Sequence, residues 1–437
     1  MSEPAEKSQP TTEVSQLVEH LFRHEAGKLV SVLTGIFGTE RLQLAEDVVQ
    51  ESLIRALQSW SYYGVPKNPA AWITQTAKHL TLDLIRREKT FRSKQSEIIA
   101  FVEGWSADSG ADESPMFENE IKDSRLRLMF ACCHPSIPQE SQTVLALKTL
   151  CGFGVGEIAK AFLTTEAAIA KRLTRARERI RELQIPFEIP SGDELSVRLD
   201  SVLQTLYLLF NEGYKASSGE RLIKKDLCDE AIRLATLMAE HPMGDKPRTH
   251  ALAALMLFNA ARLSARTDSA GNVLRLREQD RSSWDKGMIA RGMLHLQQSA
   301  AGDDLSEYHL QAAIAACHCA APDHESTAWA QILRLYNRLI QINPSPVVAL
   351  NRAVAVAQVH GPGAGIAAVE AIQARETLNS YYLLYAVLAE FESQLDHFRA
   401  AAEHLRTAIK LTEIKSEKNL LSKRLAACEK KIAPKNK

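Results

Sequence analysis

The stretch from residue 154 to 183, GVGEIAKAFLTTEAAIAKRLTRARERIREL, constrains the fold of this chain more than any other. Apolar side chains recur at helical spacing on both sides of the pair Thr164-Thr165, which predicts a short helix, a tight turn and a longer helix. Either threonine hydroxyl can cap the longer helix, and Glu166 then lies favourably in its first turn. The predicted inner stripe of that helix is Ile169, Leu173, Ala176 and Ile180.

The longer helix is also strongly basic. Its cations are Lys171, Arg172, Arg175, Arg177, Arg179 and Arg181. They outnumber the acids of the same helix, so pairing within the helix leaves positive charge unused. A salt-bridged surface helix is the plainer interpretation. The excess of charge favours a helix-turn-helix whose second helix enters the major groove of DNA and neutralises phosphates.

The segment EIAKAFLTTEAAIAKRLTRAR resembles region four of bacterial sigma factors of the small extracytoplasmic-function type. In that family, region four recognises the −35 promoter element as duplex DNA. The recognition helix here begins with Ala168-Ile169, where the family usually has threonine followed by valine. The resemblance implies −35 contacts from Thr165, Glu166, Ala167, Lys171, Arg172 and Arg175.

Chain length, net charge and cysteine content limit the class of protein. A chain of 437 residues is expected to form two to four domains. Its net charge is zero, so nucleic-acid binding must come from local basic patches. The seven scattered cysteines and a polar N-terminus without a secretory signal predict a cytoplasmic protein. No apolar run reaches membrane-spanning length, which predicts no membrane association.

An earlier segment, LAEDVVQESLIRALQSW, is amphipathic at helical spacing. Asp47, Gln50 and Glu51 share its outer face, and Glu51 can pair with Arg55 one turn later. Composition alone favours an ordinary solvated face for these polar side chains. The segment resembles region two of the same family, in which this helix docks on a basic coiled coil of the RNA polymerase clamp. The resemblance therefore implies that Asp47, Gln50 and Glu51 contact the polymerase.

The next segment, AAWITQTAKHLTLDLIRREK, places a tryptophan beside several cations. That combination suits single-stranded nucleic acid, since bases stack on the ring and cations neutralise phosphates. Burial of Trp72 in the core is the alternative. In the resembled family this region melts the −10 element and holds an extruded base. The residues implied in −10 contacts are Trp72, Lys78, His79, Asp83, Arg86 and Arg87. His79 stands where the family usually has asparagine, and Asp83 is equally suited to a structural ion pair with the arginines.

Residues 95–120 carry seven acids and neither lysine nor arginine, which predicts an extended linker. A solvated spacer is one interpretation. By resemblance, such a linker threads the active-site cleft and RNA exit path of the polymerase.

Metal binding and catalysis are not expected. Cys132 and Cys133 are adjacent and lack a nearby CxxC partner, and Cys317 and Cys319 are two apart in a predicted helix, where they point away from each other. No Walker loop, GxGxxG, HExxH or GxSxG motif is present. We therefore expect no cofactor, no metal site and no enzyme activity.

The chain continues far beyond the helix-turn-helix as a succession of Ala-rich amphipathic segments. Ala353 and Ala386 are small residues at expected helix crossings, and so are Ala367 and Ala401. Each pair is spaced close to the 34-residue tetratricopeptide period. Such arrays form a concave groove for a peptide or a partner domain, whereas an inert helical domain is the alternative. With YLLFNEGY at residues 207–214, the arrangement resembles a subgroup of extracytoplasmic-function sigma factors whose C-terminal extension is thought to regulate them.

These patterns together predict an all-α protein. The predicted segments are a disordered N-terminus (1–12), region two (13–94), the acidic linker (95–120), region four (121–186) and a tetratricopeptide-like helical domain (187–437). The expected partners are core RNA polymerase, through its clamp coiled coil and its flap, promoter DNA, and a peptide or protein bound by the C-terminal array. We expect truncation after about Ile189 to alter activity more than the folding of regions two and four.

Two other functions are compatible with parts of the sequence. A conventional DNA-binding regulator with a tetratricopeptide sensor would bind duplex operators and never melt them. A scaffold with a decayed sigma-like half is a third hypothesis, which the retained Trp and Arg positions disfavour.

Overall fold

The computed structural model describes residues 12–87, 115–162, 164–215, 223–268, 272–302 and 304–432, with side chains except at 12–24, 115–122, 160 and 161. Within these residues the regular structure consists of α-helices and short 3-10 turns, without any β-strand. The all-α prediction is confirmed. The predicted N-terminal tail, except Thr12, and linker residues 95–114 lie outside the described residues. The end of the predicted linker, from Pro115, is helical.

Eighteen α-helices follow one another along the described chain. The first eight are α1 (Thr12–Phe37), α2 (Leu42–Tyr63), α3 (Pro69–Arg87), α4 (Pro115–Cys132), α5 (Gln139–Thr149), α6 (Val155–Ala161), α7 (Glu166–Glu182) and α8 (Gly192–Tyr214). The next five are α9 (Lys225–Glu240), α10 (Pro247–Ala260), α11 (Lys286–Gln298), α12 (Glu307–Ala320) and α13 (Trp329–Ile342). The last five are α14 (Pro346–His360), α15 (Pro362–Glu370), α16 (Tyr382–Gln394), α17 (Phe398–Leu411) and α18 (Lys415–Ile432).

The chain divides into two compact units. The first comprises residues 1–160 and 164–205, and the second comprises 161–163 and 206–437. The first unit therefore extends into α8, beyond the boundary at residue 186 that the sequence suggests.

The extension of the first unit has a clear cause in buried polar contacts. The Gln142 amide donates to the carbonyls of His134 and Ile137, at 3.1 and 2.8 Å. Its oxygen accepts hydrogen bonds from the hydroxyls of Ser201 and Thr205, at 2.9 and 3.1 Å. All four hydrogen-bonding positions of this buried amide are thus used, two of them by α8. The first turns of α8 consequently belong to the core of region four.

Arg198 reinforces the same attachment. Its side chain is almost fully buried, donates to the carbonyl of Phe130 at 3.3 Å and pairs with Glu194 at 3.1 Å. Its guanidinium also lies 5.9 Å from the centre of the Phe130 ring. A buried arginine needs such partners, because an unpaired buried charge is costly.

In the first part of this unit, α1, α2 and α3 pack around a shared apolar core. Leu33, Val49, Trp60, Ile73 and Ile85 are all buried in it. These residues recur at helical spacing along each helix, so each helix presents one apolar stripe to the others.

In the second unit, α10 is buried along almost its whole length, with α11 and α12 packed against it. The later helices pack mainly on their sequence neighbours, most closely α16 on α17 and α14 on α15. Small residues allow this close packing: Ala353, Ala386 and Ala401 are buried.

The expected crossing position Ala367 is exposed, so this part of the prediction is wrong. Gly365 makes the close approach instead: a Cβ on it would lie 2.6 Å from the Cβ of Ala357. Only a residue without a side chain fits that contact.

Candidate nucleic-acid interface

The recognition helix of the helix-turn-helix is α7, and of the two threonines that the sequence offers as its cap, the structure uses Thr165. The Thr165 hydroxyl accepts a hydrogen bond from the Ala168 amide at 3.1 Å, which satisfies one of the free amides of the first turn. Thr165, Glu166 and Ala167 are exposed. The predicted inner stripe of α7 is buried throughout. The N-terminal turn of this helix is therefore rigidly held and open to a ligand.

The cations of α7 divide into two groups. Lys171, Arg175 and Arg181 are exposed and form no ion pair with any described residue. Arg172 pairs with Glu140 at 2.9 Å, and Arg179 lies 3.6 Å from Glu182. These are surface pairs of modest strength, so a phosphate can replace the carboxylate. The exposed face of α7 is thus positively charged along its length.

Arg177 differs from the other cations of α7. Its guanidinium forms a short ion pair with Glu46 of α2, a carboxylate that is only 4% exposed. Burial raises the pKa of Glu46 above the ordinary carboxyl range, although the Arg177 guanidinium opposes that shift. Sequence reasoning assigned Arg177 to the DNA-facing cations and gave Glu46 no role. Neither residue carries a local signal for this contact, since they are far apart in the chain.

The predicted polymerase-binding residues lie together on the outer face of α2. Asp47 and Gln50 are exposed, and Asp47 accepts a hydrogen bond from Gln43 at 2.7 Å. Glu51 is half-buried and pairs with Arg55 at 2.9 Å, as its spacing predicts. The structure therefore brings the three predicted side chains together on one accessible surface, where their assignment to polymerase remains a prediction.

A cleft of about 500 Å³ opens between α2 and α3. Its lining residues are Arg55, Gln58, Ser59, Tyr63, Trp72, Thr76 and His79. The ring of Trp72 packs edge-on against buried Trp60 with 5.5 Å between ring centres, so one side of it is fixed by the core. Tyr63 is 89% exposed at the end of α2. The cleft thus combines aromatic faces, a cation and amide or hydroxyl groups, which is the chemistry that an unstacked base requires.

The sequence identified Trp72 and His79 in this cleft but missed Tyr63 and Arg55. The available signal for Tyr63 was the pair Tyr62-Tyr63 directly before Gly64. Two large aromatic residues at the end of a helix, where the core does not bury them, indicate a binding surface.

The other predicted −10 residues are distributed along α3. His79 is exposed and lies 3.1 Å from the Gln75 amide. Asp83, Arg86 and Arg87 are exposed too. Lys78 is only 8% exposed, so little of its side chain is presented at the surface. Lys78 is consequently the least favoured of the predicted contacts.

Five of the seven cysteines are buried, and Cys317 and Cys319 are half-buried. Cys132 and Cys133 are buried, and burial raises the pKa of the Cys133 thiol to about 12. The Cys132 sulfur lies 3.6 Å from the Thr149 hydroxyl. Among the described residues, no group of three or more His, Cys, Asp or Glu side chains has a geometry that could hold a metal ion.

Comparison with known families assigns three segments of the chain. Residues 21–91 match sigma-70 region 2, and residues 127–180 match sigma-70 region 4. Residues 198–300 match a family of unknown function, DUF6596. No solved structure matches the chain.

Among curated proteins, the uncharacterized protein R00370 of Rhizobium meliloti is 37% identical over 380 residues, covering 86% of this chain and 88% of the relative. A probable RNA polymerase sigma factor, RfaY of Xanthomonas campestris, is 26% identical over 145 residues, 33% of this chain and 34% of the relative. The extracytoplasmic-function RNA polymerase sigma factor SigW of Bacillus subtilis is 25% identical over 144 residues, 32% of this chain and 74% of the relative.

The helix-turn-helix, the preceding three-helix core and these matches define the class: residues 21–91 and 127–180 of the chain carry regions 2 and 4 of the sigma-70 family of RNA polymerase sigma factors. Within that class, the findings support the extracytoplasmic-function type, and the chain shares most of its length with the Rhizobium protein. No described helix is long and apolar enough to cross a membrane.

Proposed function

We propose that this chain directs core RNA polymerase to a particular set of promoters, with region two melting the −10 element and region four reading the −35 element. The C-terminal helices regulate that activity or dock a partner. The observation that carries the proposal is the cleft between α2 and α3, which lies on the same three-helix core as the acidic face of α2. A protein that only binds duplex DNA has no use for an aromatic cleft large enough to admit a base.

In the proposed mechanism, an unpaired base of the −10 element enters the cleft. It stacks on Trp72 or Tyr63, while His79 and Gln58 are placed to donate or accept hydrogen bonds at its edge. Arg55 stands at the same cleft and attracts the adjacent phosphate. Stacking contributes about 1–3 kcal/mol per base, which offsets the few kcal/mol that unpairing costs.

Region four provides the duplex contact in this proposal. The exposed first turn of α7 enters the major groove, and Lys171 and Arg175 approach phosphates along its length. Asp47, Gln50 and Glu51 bind the basic clamp coiled coil, and the polymerase flap holds region four. The tetratricopeptide-like identity of the array and its regulatory role are parts of the same proposal. They are supported by the close packing of α16 on α17 and of α17 on α18.

Transcription in vitro tests this function. We would mix the full chain with core polymerase on the promoter of its own gene and map unpaired thymines with permanganate. Tyr63→Ala and Trp72→Ala should each weaken open-complex formation by about 5-fold to 100-fold, the loss expected for one stacked base. Binding to a −35 duplex should not change.

Tyr62→Ala is the matched control, since Tyr62 is also exposed, at 63%, but does not line the cleft. It should behave as the unmodified chain. If the chain binds duplex DNA and never yields an unpaired bubble with polymerase, the protein is a conventional regulator and the −10 assignments fail.

A further inference from the structure

One surface of the C-terminal array is formed jointly by α16 and α18. Arg424 of α18 pairs with Glu390 of α16 at 2.7 Å. Tyr382 of α16 donates a hydrogen bond to Glu417 of α18. We call the surface made by these four side chains the α16–α18 face. Its two carboxylates outnumber its one guanidinium, so this face by itself attracts cations.

The first carboxylate of the α16–α18 face, Glu417, receives a cation from the residue that follows α8. The ammonium of Lys215 lies 3.9 Å from the Glu417 carboxylate and 4.8 Å from the centre of the Tyr382 ring. Glu417 is buried and also accepts a hydrogen bond from the Thr412 hydroxyl at 2.7 Å. A carboxylate beside an aromatic ring is a site that recognises a cation, and here the chain fills that site itself.

The second carboxylate, Glu390, receives two guanidiniums from residues 273–278, a segment that we call the strap. Arg275 lies 3.1 Å from one oxygen of Glu390, and Arg277 lies 2.8 Å from the other. Within the strap, Glu278 also pairs with Arg275. The strap therefore presents two arginines to one carboxylate of the array.

The contact between the strap and Glu390 is of a kind that can be exchanged. The side chains of Arg275 and Arg277 are 28% and 41% exposed, and that of Glu390 is 23% exposed. Ion pairs with this much access to solvent are of modest strength. Burial raises the pKa of Glu390, but the guanidiniums around it, that of Arg424 foremost, hold the pKa below the ordinary carboxyl range. Glu390 is thus an ionised carboxylate at a site that water reaches.

We propose that the α16–α18 face is the docking site of the array for an arginine-bearing segment of a partner protein, and that the strap occupies this site in the free chain as an internal ligand. The inference rests on the proposed docking role of the array and names the chemistry of the partner. The partner segment displaces the strap, and its guanidiniums take the places of Arg275 and Arg277 at Glu390. Arginine suits the site because its planar guanidinium donates directed hydrogen bonds to carboxylate oxygens.

Peptide binding to the full-length chain, followed by fluorescence anisotropy, tests the proposal. The probe is a labelled peptide with the sequence NVLRLREQ, which copies residues 272–279. The released variant carries Arg275→Ala and Arg277→Ala, so its strap no longer competes for Glu390. An internal ligand competes at an effective concentration of about 1 mM. For a probe dissociation constant of about 10–100 μM, the released variant should bind about 10-fold to 100-fold more tightly than the unmodified chain.

Matched changes identify the carboxylate that holds the probe. Glu390→Gln, added to the released variant, should weaken probe binding by about 10-fold or more, because charged hydrogen bonds are lost. Glu403→Gln in the same background removes an exposed carboxylate of α17 and should leave the affinity unchanged. A probe with both arginines replaced by alanine should not bind the released variant.

Hydrogen exchange in the unmodified chain provides a second test that needs no variant. Unlabelled probe at about 1 mM matches the effective concentration of the strap and should displace it in about half of the molecules. Exchange of residues 273–278 should then accelerate by about 5-fold to 50-fold, while α16 stays protected. Circular dichroism of the released variant should retain the helical signal of the unmodified chain.

The outcomes separate this inference from the proposed function. Equal probe affinity of the unmodified and released chains, with unchanged strap exchange, overturns the internal ligand. A folded released variant that does not bind the probe, or binding that survives Glu390→Gln, overturns the docking site. If the probe binds as expected but the chain forms no open complex with polymerase, the docking site stands and the proposed sigma function fails. An active chain that fails the binding tests keeps its proposed function and loses this site.

Discussion

Replacement of Gln142 by alanine tests whether the start of α8 is part of region four. The side chain is 2% exposed and its amide makes four hydrogen bonds, to His134, Ile137, Ser201 and Thr205. Truncation leaves the buried Ile137 carbonyl and the Ser201 hydroxyl without this partner. The Thr205 hydroxyl keeps a second acceptor, the carbonyl of Ser201 at 2.9 Å.

The expected decrease in the free energy of unfolding follows from these lost contacts. Two buried groups left unsatisfied cost about 1–3 kcal/mol each, and the small cavity adds to that, so we expect a loss of about 3–4 kcal/mol. For a unit of this size, the melting temperature should fall by roughly 6–15 °C. Because the chain has two units, a single melting curve is not a clean measure of the first one.

Hydrogen exchange followed by mass spectrometry resolves the affected segments in the full-length chain. Peptides from 139–149 and 192–205 should exchange about 100-fold to 1,000-fold faster in Gln142→Ala. Both segments should accelerate together, because they open as one unit. Gln139→Ala is the matched control: its amide makes one hydrogen bond, to the Thr205 hydroxyl at 2.9 Å. Similar acceleration in both variants, or acceleration confined to 139–149, would refute the attachment of α8.

Three further predictions concern other parts of the chain. Thr165→Ala should destabilise region four by about 1 kcal/mol, measured by denaturant unfolding, and weaken −35 duplex binding, whereas Thr164→Ala should change neither. Arg175→Ala should lower the slope of log affinity against log salt by about one, in titrations at several salt concentrations. Burial, helped by neighbouring His250, lowers the pKa of His295 to about 4, so the unfolded chain binds its proton first as the pH falls. The second unit should therefore be most stable above pH of about 6.5 and lose stability towards about pH 4. His295→Gln should reduce that loss in thermal melts across this range.

The attachment of α8 also affects the design of truncated chains. A chain ending near Ile189 lacks Arg198, Ser201 and Thr205, so it exposes the groups that these residues satisfy. A chain ending after Thr205 retains them. Comparison of the two truncations separates loss of regulation from loss of folding in region four.

The sequence alone determined the features that depend on local periodicity. The stripe of α7 and a threonine cap at its start follow from neighbours three or four residues apart, since a helix turns once in about 3.6 residues. The pairing of Glu51 with Arg55 follows from the same spacing. The all-α class was accessible because helical periodicity persists along the chain.

Tertiary structure decided the features that join distant segments. The residues around Glu46 and Arg177 in the sequence do not predict their ion pair. The two residues are 131 positions apart, and their contact depends on how α2 and α7 pack. The same holds for the cleft that brings Tyr63 to Trp72, and for the burial of Lys78. Local spacing determines which side of a helix a residue occupies, whereas the packing of helices determines whether that side meets solvent, a partner residue or the core.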